Sequence, residues 1–433
     1  MDLMLSLLSW PPVAVAAACI LLLWWARWRD YRLTARLLNG RTGSSGDDDD
    51  DDDDASALMA GNMHMAPKVT VVVPCCNVLP QLKENLPALL EQEGIAYEVV
   101  VVDEASSDGT REWLEYYSEQ QRRLRHTFVP PTARYVDRRK LAITLGVRAA
   151  RAPWVIITQA DCRPAYPTWL ATMAEHFHSH TDIVLGYANY EEPCTRQEHR
   201  AAYERLHGQI RRYRAAMGMG GKGNGRAWGG DVANLAFRKE VFMAQQGFAD
   251  FLTTACDEGD ALVSTMATAG RTAVCCQTES TVWQSFPFTK SMHSMRLIAR
   301  ETLRHLTPGA RRSLWREGAA SASLYVLTIA LAAHAVWAAL TYSAAPERFA
   351  TLFPIEIAAM ACLVTALAWP VVALRRITHA MEQTPFSAGR VWLQAYLQPW
   401  RNMAEKVARY RHRRDYLRKQ CGDTAPSPTL SMN

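Results

Sequence analysis

The chain lacks the cysteine spacings of a metal-binding module. Its ten cysteines include the adjacent pairs Cys75-Cys76 and Cys275-Cys276, and none stands in a CxxC or a Cys/His ligand pattern. This argues against zinc and for a reduced compartment. Two phosphate-binding signatures are also missing. "PCCN" follows the first apolar run where a GxGxxG would mark a dinucleotide site. In "GMGGKGNG" (Gly218 to Gly225), Lys222 is followed by glycine rather than Ser or Thr, and the preceding "YERLHGQIRRYRAAM" reads as a helix. A connector or substrate loop fits that stretch better than a Walker loop. Only Asp2 precedes the apolar start of the chain, so the cationic lead of a cleaved signal peptide is wanting.

What the sequence does contain is long apolar stretches flanked by arginine. Leu3 to Ala26, Gly318 to Tyr342 and Leu352 to Leu374 are each long enough to cross a bilayer. Arg27, Arg29, Arg32 and Arg36 follow the first; Arg311, Arg312 and Arg316 precede the second, and Arg375 and Arg376 follow the third. By the positive-inside rule all three clusters fit one topology: N-terminus outside, the middle region in the cytoplasm, then a hairpin and a cytoplasmic tail. The alternative is three buried core helices. The formal charge is +5, but the eight aspartates Asp47 to Asp54 conceal a balance of +13 in the rest of the chain. Such a body favours anionic partners. The aspartate run, between "RTGSSG" and "ASALMAGNMHMA", reads as a solvated spacer. The basic tail "RNMAEKVARYRHRRDYLRK" suits an anionic lipid leaflet better than nucleic acid, given its place beside the apolar stretches.

Between these stretches, apolar strand-like runs alternate with helical spacing. "VTVVVP" precedes "QLKENLPALLEQE", and "YEVVVVD" precedes "TREWLEYYSEQ"; "RRKLAITLGVRAAR" leads to "VIITQADCRP", followed by "PTWLATMAEHF" and "DIVLGYA", and a further strand reads over "TAVCCQTESTVWQ". This order predicts an α/β fold with a mainly parallel sheet covered on both faces. Ligands in such sheets bind beyond the carboxyl ends of the strands, where Asn77, Asp103 and Asp161 stand.

At this point the residues carry a resemblance. "VTVVVPCCN", "VVVVDEASSDGT", "KLAITLGVRAARAPWVIITQADCRP" and "GGDVANLAFRKEVFMAQQGF", in this order, resemble the GT-A domain of family 2 glycosyltransferases over about Pro67 to Leu306. An N-terminal span and a C-terminal hairpin around the domain are similar to membrane-bound bacterial members. The resemblance implies inverting transfer of a sugar from a nucleotide-diphosphate donor, with UDP-sugars the first candidates. Pro74 and Asn77 would then border the nucleotide, and Asp103 and Glu104 match the acids of the family's nucleotide-contacting "VDDGSxDGT" pattern. Asp108 suits a helix cap. Lys140 matches a basic residue of the family, either a phosphate contact or a surface lysine.

The DxD motif, whose carboxylates hold Mg2+ or Mn2+ on the diphosphate, corresponds to Gln159-Ala160-Asp161. Asp161 alone with a neutral amide remains workable, because these cations accept one or two protein carboxylates plus phosphate oxygens and water. The other role open to Asp161 is a turn cap. For the catalytic base the family's ED pair falls in "CDEGDALV", with Glu258 on the Glu and Gly259 on the Asp. Asp260 is then the first candidate for the base and Glu258 the next, with Asp257 a third; dipole complements at a helix start are the other use of such acids. The family's QxxRW motif is matched weakly by "ETLRH", making Arg304 the diphosphate candidate and Arg300 its alternative, against a lipid-facing cation.

The expected organisation is a transmembrane helix over 1–29, a linker over 30–66, the GT-A domain over 67–285, interfacial helices over 286–317, a transmembrane hairpin over 318–376 and a basic tail over 377–433. The expected activity is glycosyl transfer to a lipid-linked or polysaccharide acceptor at the cytoplasmic face of the inner membrane, with membrane lipids as partners and no nucleic acid. A processive synthase subunit and an inactive nucleotide-sugar sensor, the latter suggested by Gln159 and Gly259, are the alternatives.

Overall fold

β-branched residues fill β1 (Val69–Cys75) and β2 (Tyr97–Asp103), and every position of both is buried. The computed structural model that shows this describes residues 67–130, 137–191, 195–218, 225–252, 256–286 and 308–312, with isolated helical positions between 315 and 400. The two strands pair in parallel from Val69 opposite Tyr97 to Cys75 opposite Asp103. Alternate side chains face opposite ways. Val69, Val71 and Val73 join Leu82, Leu86 and Leu89 of α1 (Leu79–Leu90) in one core cluster. On the other face α3 (Arg138–Ala149) lies so close that a Cβ on its Gly146 would collide with Val72.

After β2 come α2 (Thr110–Gln120) and β3 (Leu124–Phe128), and α3 then carries the chain back to β4 (Trp154–Ile157) on the far side of β1. The seven-stranded order is β3-β2-β1-β4-β8-β6-β9, where β6 is Ile183–Leu185, β8 Leu235–Arg238 and β9 Thr272–Val274. Only β8 runs against its neighbours β4 and β6. The direction of winding reverses between β1 and β4, the place where open α/β sheets take ligands. A three-stranded sheet, β5 (Cys162–Pro164), β10 (Val282–Gln284) and β7 (Ala188–Tyr190), lies beyond it. The connecting helices are α4 (Trp169–Ala174), α5 (Arg196–Met217), α6 (Lys239–Ala244) and α7 (Glu258–Met266).

The parallel-sheet expectation therefore holds in outline, with three corrections. "VIITQADCRP" is not one strand: β4 stops at Ile157, and Cys162–Pro164 enters the smaller sheet. "DIVLGYA" divides at Gly186, where a Cβ would strike the buried Asn234 side chain, and "TAVCCQTESTVWQ" divides between β9 and β10 around a 3-10 turn at Thr278–Ser280. No described helix is long and apolar enough to cross a membrane. The stretches Leu3 to Ala26, Gly318 to Tyr342 and Leu352 to Leu374 fall outside the described residues, apart from isolated positions, as do the aspartate run and the basic tail. Described positions from Arg312 to Trp400 belong to a second compact unit, in which the rings of Tyr325 and Trp400 meet edge-on with centroids 5.7 Å apart.

Candidate active site

The loops leaving β1 and β2 are tied to each other by side chains. Asp103 is buried, and its carboxylate accepts the Ser106 N–H at 3.1 Å. Ala105 takes a left-handed φ of +64° to permit this, and Asn77 one of +52°. The Asn77 N–H donates to Ser106 Oγ at 3.0 Å, and its Oδ1 accepts the Ser107 N–H at 2.8 Å. Asp108 accepts from Leu79 N at 3.0 Å and Thr110 N at 3.1 Å, so one carboxylate serves the first turns of both α1 and α2. Burial raises the Asp108 pKa, but the hydrogen bonds from Thr110 and Leu79 outweigh it and hold the group below its ordinary value. Pro74 is buried opposite Val102, two residues after β4 has left β1 at Val72, where its missing N–H breaks no β4 ladder.

Acids from separate elements converge on Arg139, the second residue of α3. Its guanidinium stands 3.8 Å from Glu104 Oε1 and 3.9 Å from Glu258 Oε1, with 30% of the side chain exposed. Burial lowers the pKa of Arg139, and Glu258, Glu104, Asp161 and Asp137 more than compensate, raising it overall. Burial raises the carboxyl of Glu104, against the pull of Arg139. Lys140 is not a surface lysine: it is fully buried and donates to Asp137 Oδ2 at 2.9 Å, while Asp137 caps α3 through Arg139 N and Lys140 N. The cation turned toward the acids is Arg139, which the sequence reading passed over. Neighbours in "DRRK" are alike in sequence, and only the helix phase separates the one facing Glu104 and Glu258 from the one buried beneath it.

Beyond β4, Asp161 Oδ2 accepts from the Gln284 carboxamide at 2.9 Å, and Gln159 Oε1 accepts from the same nitrogen at 3.3 Å. The two oxygens therefore converge on one point, now filled by an N–H2 group. One carboxylate and one neutral carboxamide are hard oxygen donors that suit a divalent cation only when phosphate oxygens and water complete its shell. Among the described residues there is no cluster of three or more His, Cys, Asp or Glu able to hold a metal unaided.

At the head of α7, Asp257 caps the helix by accepting from Asp260 N at 3.0 Å. Glu258 is 18% exposed, and burial, opposed by Arg139, raises its pKa to about 7. Asp260 has no exposed surface; its Oδ1 accepts from Arg212 Nε at 2.8 Å, and Oδ2 has no hydrogen-bond partner. Burial also brings Asp260 to about 7 against the opposing pull of Arg212. Gly229 makes room for this carboxylate, since a Cβ there would overlap Asp260 Oδ1. A Cβ on Gly259 would lie 2.5 Å from the Gly230 carbonyl oxygen, so that position admits no side chain without movement of the backbone.

The sequence profile described as "Glycosyl transferase family 2" matches residues 70–238, which span β1 to β8. The chain carries a family 2 glycosyltransferase domain. No curated protein matches the chain significantly. Among solved structures, mannosyltransferase PcManGT from Pyrobaculum calidifontis, in complex with GDP-Man and Mn2+, is similar at 20% identity, covering 82% of this chain and 97% of that one, with a TM-score of 0.48. S. aureus TarS 1-349 in complex with UDP-GlcNAc is similar at 15% identity, over 80% of this chain and 92% of that one, with a TM-score of 0.33.

Among the described residues the fold brings Glu104 and Glu258 to one arginine, with Asp161 within electrostatic reach of it, but turns Asp260 toward Arg212. Arg304 and Arg300 lie outside the described residues. The glycine-rich stretch is described only at its ends: Gly218 closes the C-terminus of α5, and Gly225 N bonds back to Ala216 O at 3.0 Å. A helix C-terminus carries partial negative charge, which opposes a phosphate there.

Proposed function

We propose that the chain is an inverting glycosyltransferase that moves a sugar from a nucleotide-diphosphate donor to a lipid-linked or polysaccharide acceptor at the cytoplasmic face of the membrane. The observation that carries this reading is the convergence on Arg139 of Glu104 beyond β2 and Glu258 at the head of α7, with Asp161 beyond β4 near enough to add to the charge that raises the Arg139 pKa. Carboxyl ends of parallel strands flanking the switch point are where a nucleotide is received. Asp103, with Asn77 and Pro74 beside it, borders the nucleoside, and Asp161 with Gln159 holds Mg2+ or Mn2+ against the diphosphate. A cation bound there would neutralise the charge that develops on the leaving diphosphate.

Glu258 replaces Asp260 as the base. A base must reach the acceptor hydroxyl, and Glu258 is partly exposed whereas Asp260 is sealed under Gly229 and paired to Arg212. The Glu258 carboxylate takes the proton, the acceptor oxygen attacks the anomeric carbon from the face opposite the diphosphate, and the bond to the diphosphate breaks.

The test is to supply the membrane-embedded chain with UDP- and GDP-sugars and Mn2+, and to measure release of nucleoside diphosphate together with sugar incorporation. Glu258→Gln should retain nucleotide binding and lose turnover by about 100-fold or more. Binding of nucleotide without turnover in the unaltered chain would instead support the sensor reading.

A further inference from the structure

The metal carboxylate is held by a residue that lies more than a hundred positions away in sequence. Gln284, at the end of β10, is 3% exposed, and its strand pairs antiparallel with β5 so that Gln284 stands opposite Cys162. Its Nε2 donates to Asp161 Oδ2 at 2.9 Å and to Gln159 Oε1 at 3.3 Å. The orientation of the carboxamide is fixed from behind, because Arg205 Nη1 donates to Gln284 Oε1 at 2.5 Å and so forces the nitrogen toward Asp161. Arg205 is itself locked by two bonds to Asp231, Nε to Oδ2 at 2.9 Å and Nη2 to Oδ1 at 3.0 Å. Asp231 also accepts from Gln209 Nε2 at 2.9 Å and Ala233 N at 3.1 Å. The backbone of Asp161 is pinned as well, its carbonyl accepting from Ser285 N at 3.0 Å.

We infer that Gln284 is a positioning residue for the donor site: its carboxamide holds Oδ2, the buried Cys162 thiol approaches Oδ1 at 3.8 Å, and the carboxamide thereby sets the Asp161 rotamer that a divalent cation would meet. The chain Asp231, Arg205, Gln284, Asp161 runs from α5 and the loop before β8 into the small sheet, and each member fixes the next. A single carboxylate binds a cation weakly, so the entropy of ordering it matters more than in a site with two. The groups that orient metal ligands typically contribute 10- to 100-fold in affinity.

This inference rests on the donor-site reading of Asp161, and the experiment separates the two. Free Mn2+ is titrated by electron paramagnetic resonance into the full chain in detergent, with UDP or GDP present, for the unaltered protein, Gln284→Leu and Gln284→Asn, each checked for its thermal transition. The unaltered chain should bind Mn2+ with the nucleotide. Gln284→Leu, which fills the same space without a donor, should weaken Mn2+ by about 10-fold or more. Gln284→Asn, whose shorter amide reaches one oxygen at best, should fall between, and it decides the matter if the leucine variant does not fold. Mn2+ affinity within twofold of the unaltered chain in a folded variant overturns the role of Gln284 alone. Absence of Mn2+ binding in the unaltered chain with either nucleotide overturns the metal assignment of Asp161 as well.

Discussion

A carboxyl group that titrates near neutrality changes its proton state within the working range of an enzyme, and two neighbours in α7 do so for opposite ends. As the proposed base, Glu258, raised to about 7, would act unprotonated, so kcat/KM should fall as pH drops below about 7, and Glu258→Gln should abolish that limb. A profile in which the limb survives in the glutamine variant would assign it elsewhere. Asp260, also raised to about 7, bears on stability instead. The folded state binds a proton that the unfolded state releases near its ordinary value, so this group's contribution is full below about 4 and is lost as pH rises through about 7. Asp260→Asn should therefore flatten the decline in melting temperature over that interval, as read by thermal melts at several pH values; an unchanged slope would exclude the buried acid as its source. The sequence put three acids at a helix start but offered no means of telling them apart. Which one faces the cleft depends on Gly229 and Arg212, residues 28 or more positions distant.

Elements whose burial is uniform were the readable ones. β1 and β2 are valine-rich and buried throughout because helices cover both faces, and α2, though mostly exposed, begins and ends where its spacing predicts, Thr110 to Gln120. β3 and β8 escaped notice: β3 is a half-exposed edge strand of mixed composition, and the four residues of β8 lie inside "NLAFRKEV" without a boundary signal. The splitting of "VIITQADCRP" was equally hidden, since the departure of Cys162–Pro164 into a second sheet depends on β10, far along the chain. Local ties at element ends are now testable. Asp108→Ala removes acceptors from the first turns of two helices and should cost about 1–2 kcal/mol in chemical denaturation; a loss near zero would mean water replaces the carboxylate. Gly259→Asp restores the acid of the family's motif, yet its Cβ would lie 2.5 Å from the Gly230 carbonyl. The variant should lose about 1–3 kcal/mol of stability and gain no activity. Faster sugar transfer by Gly259→Asp would show that the head of α7 yields, and would reopen the position as the site of the base.

At the scale of the whole molecule, charge and hydropathy have to agree on where the domain works. Without its eight-aspartate run the chain carries +13, and its arginine clusters flank three apolar stretches in the pattern that the proposed orientation requires. A lipid-linked acceptor offers its hydroxyl at the bilayer surface, so a domain tethered on that side meets acceptor at a high local concentration. In the proposed orientation the basic tail would meet anionic lipid, which attracts each cation near the surface by roughly 1 kcal/mol. We therefore expect the full chain to stay with the membrane fraction through alkaline carbonate washing, and deletion of residues 1–29 to leave it there, because 318–376 would still anchor it. In inverted inner-membrane vesicles, protease added outside should remove the segment after residue 377 without permeabilisation. Release of the full chain by carbonate would reduce the three stretches to buried or peripheral helices. Protection of the tail would invert the orientation and separate the domain from cytoplasmic nucleotide-sugars.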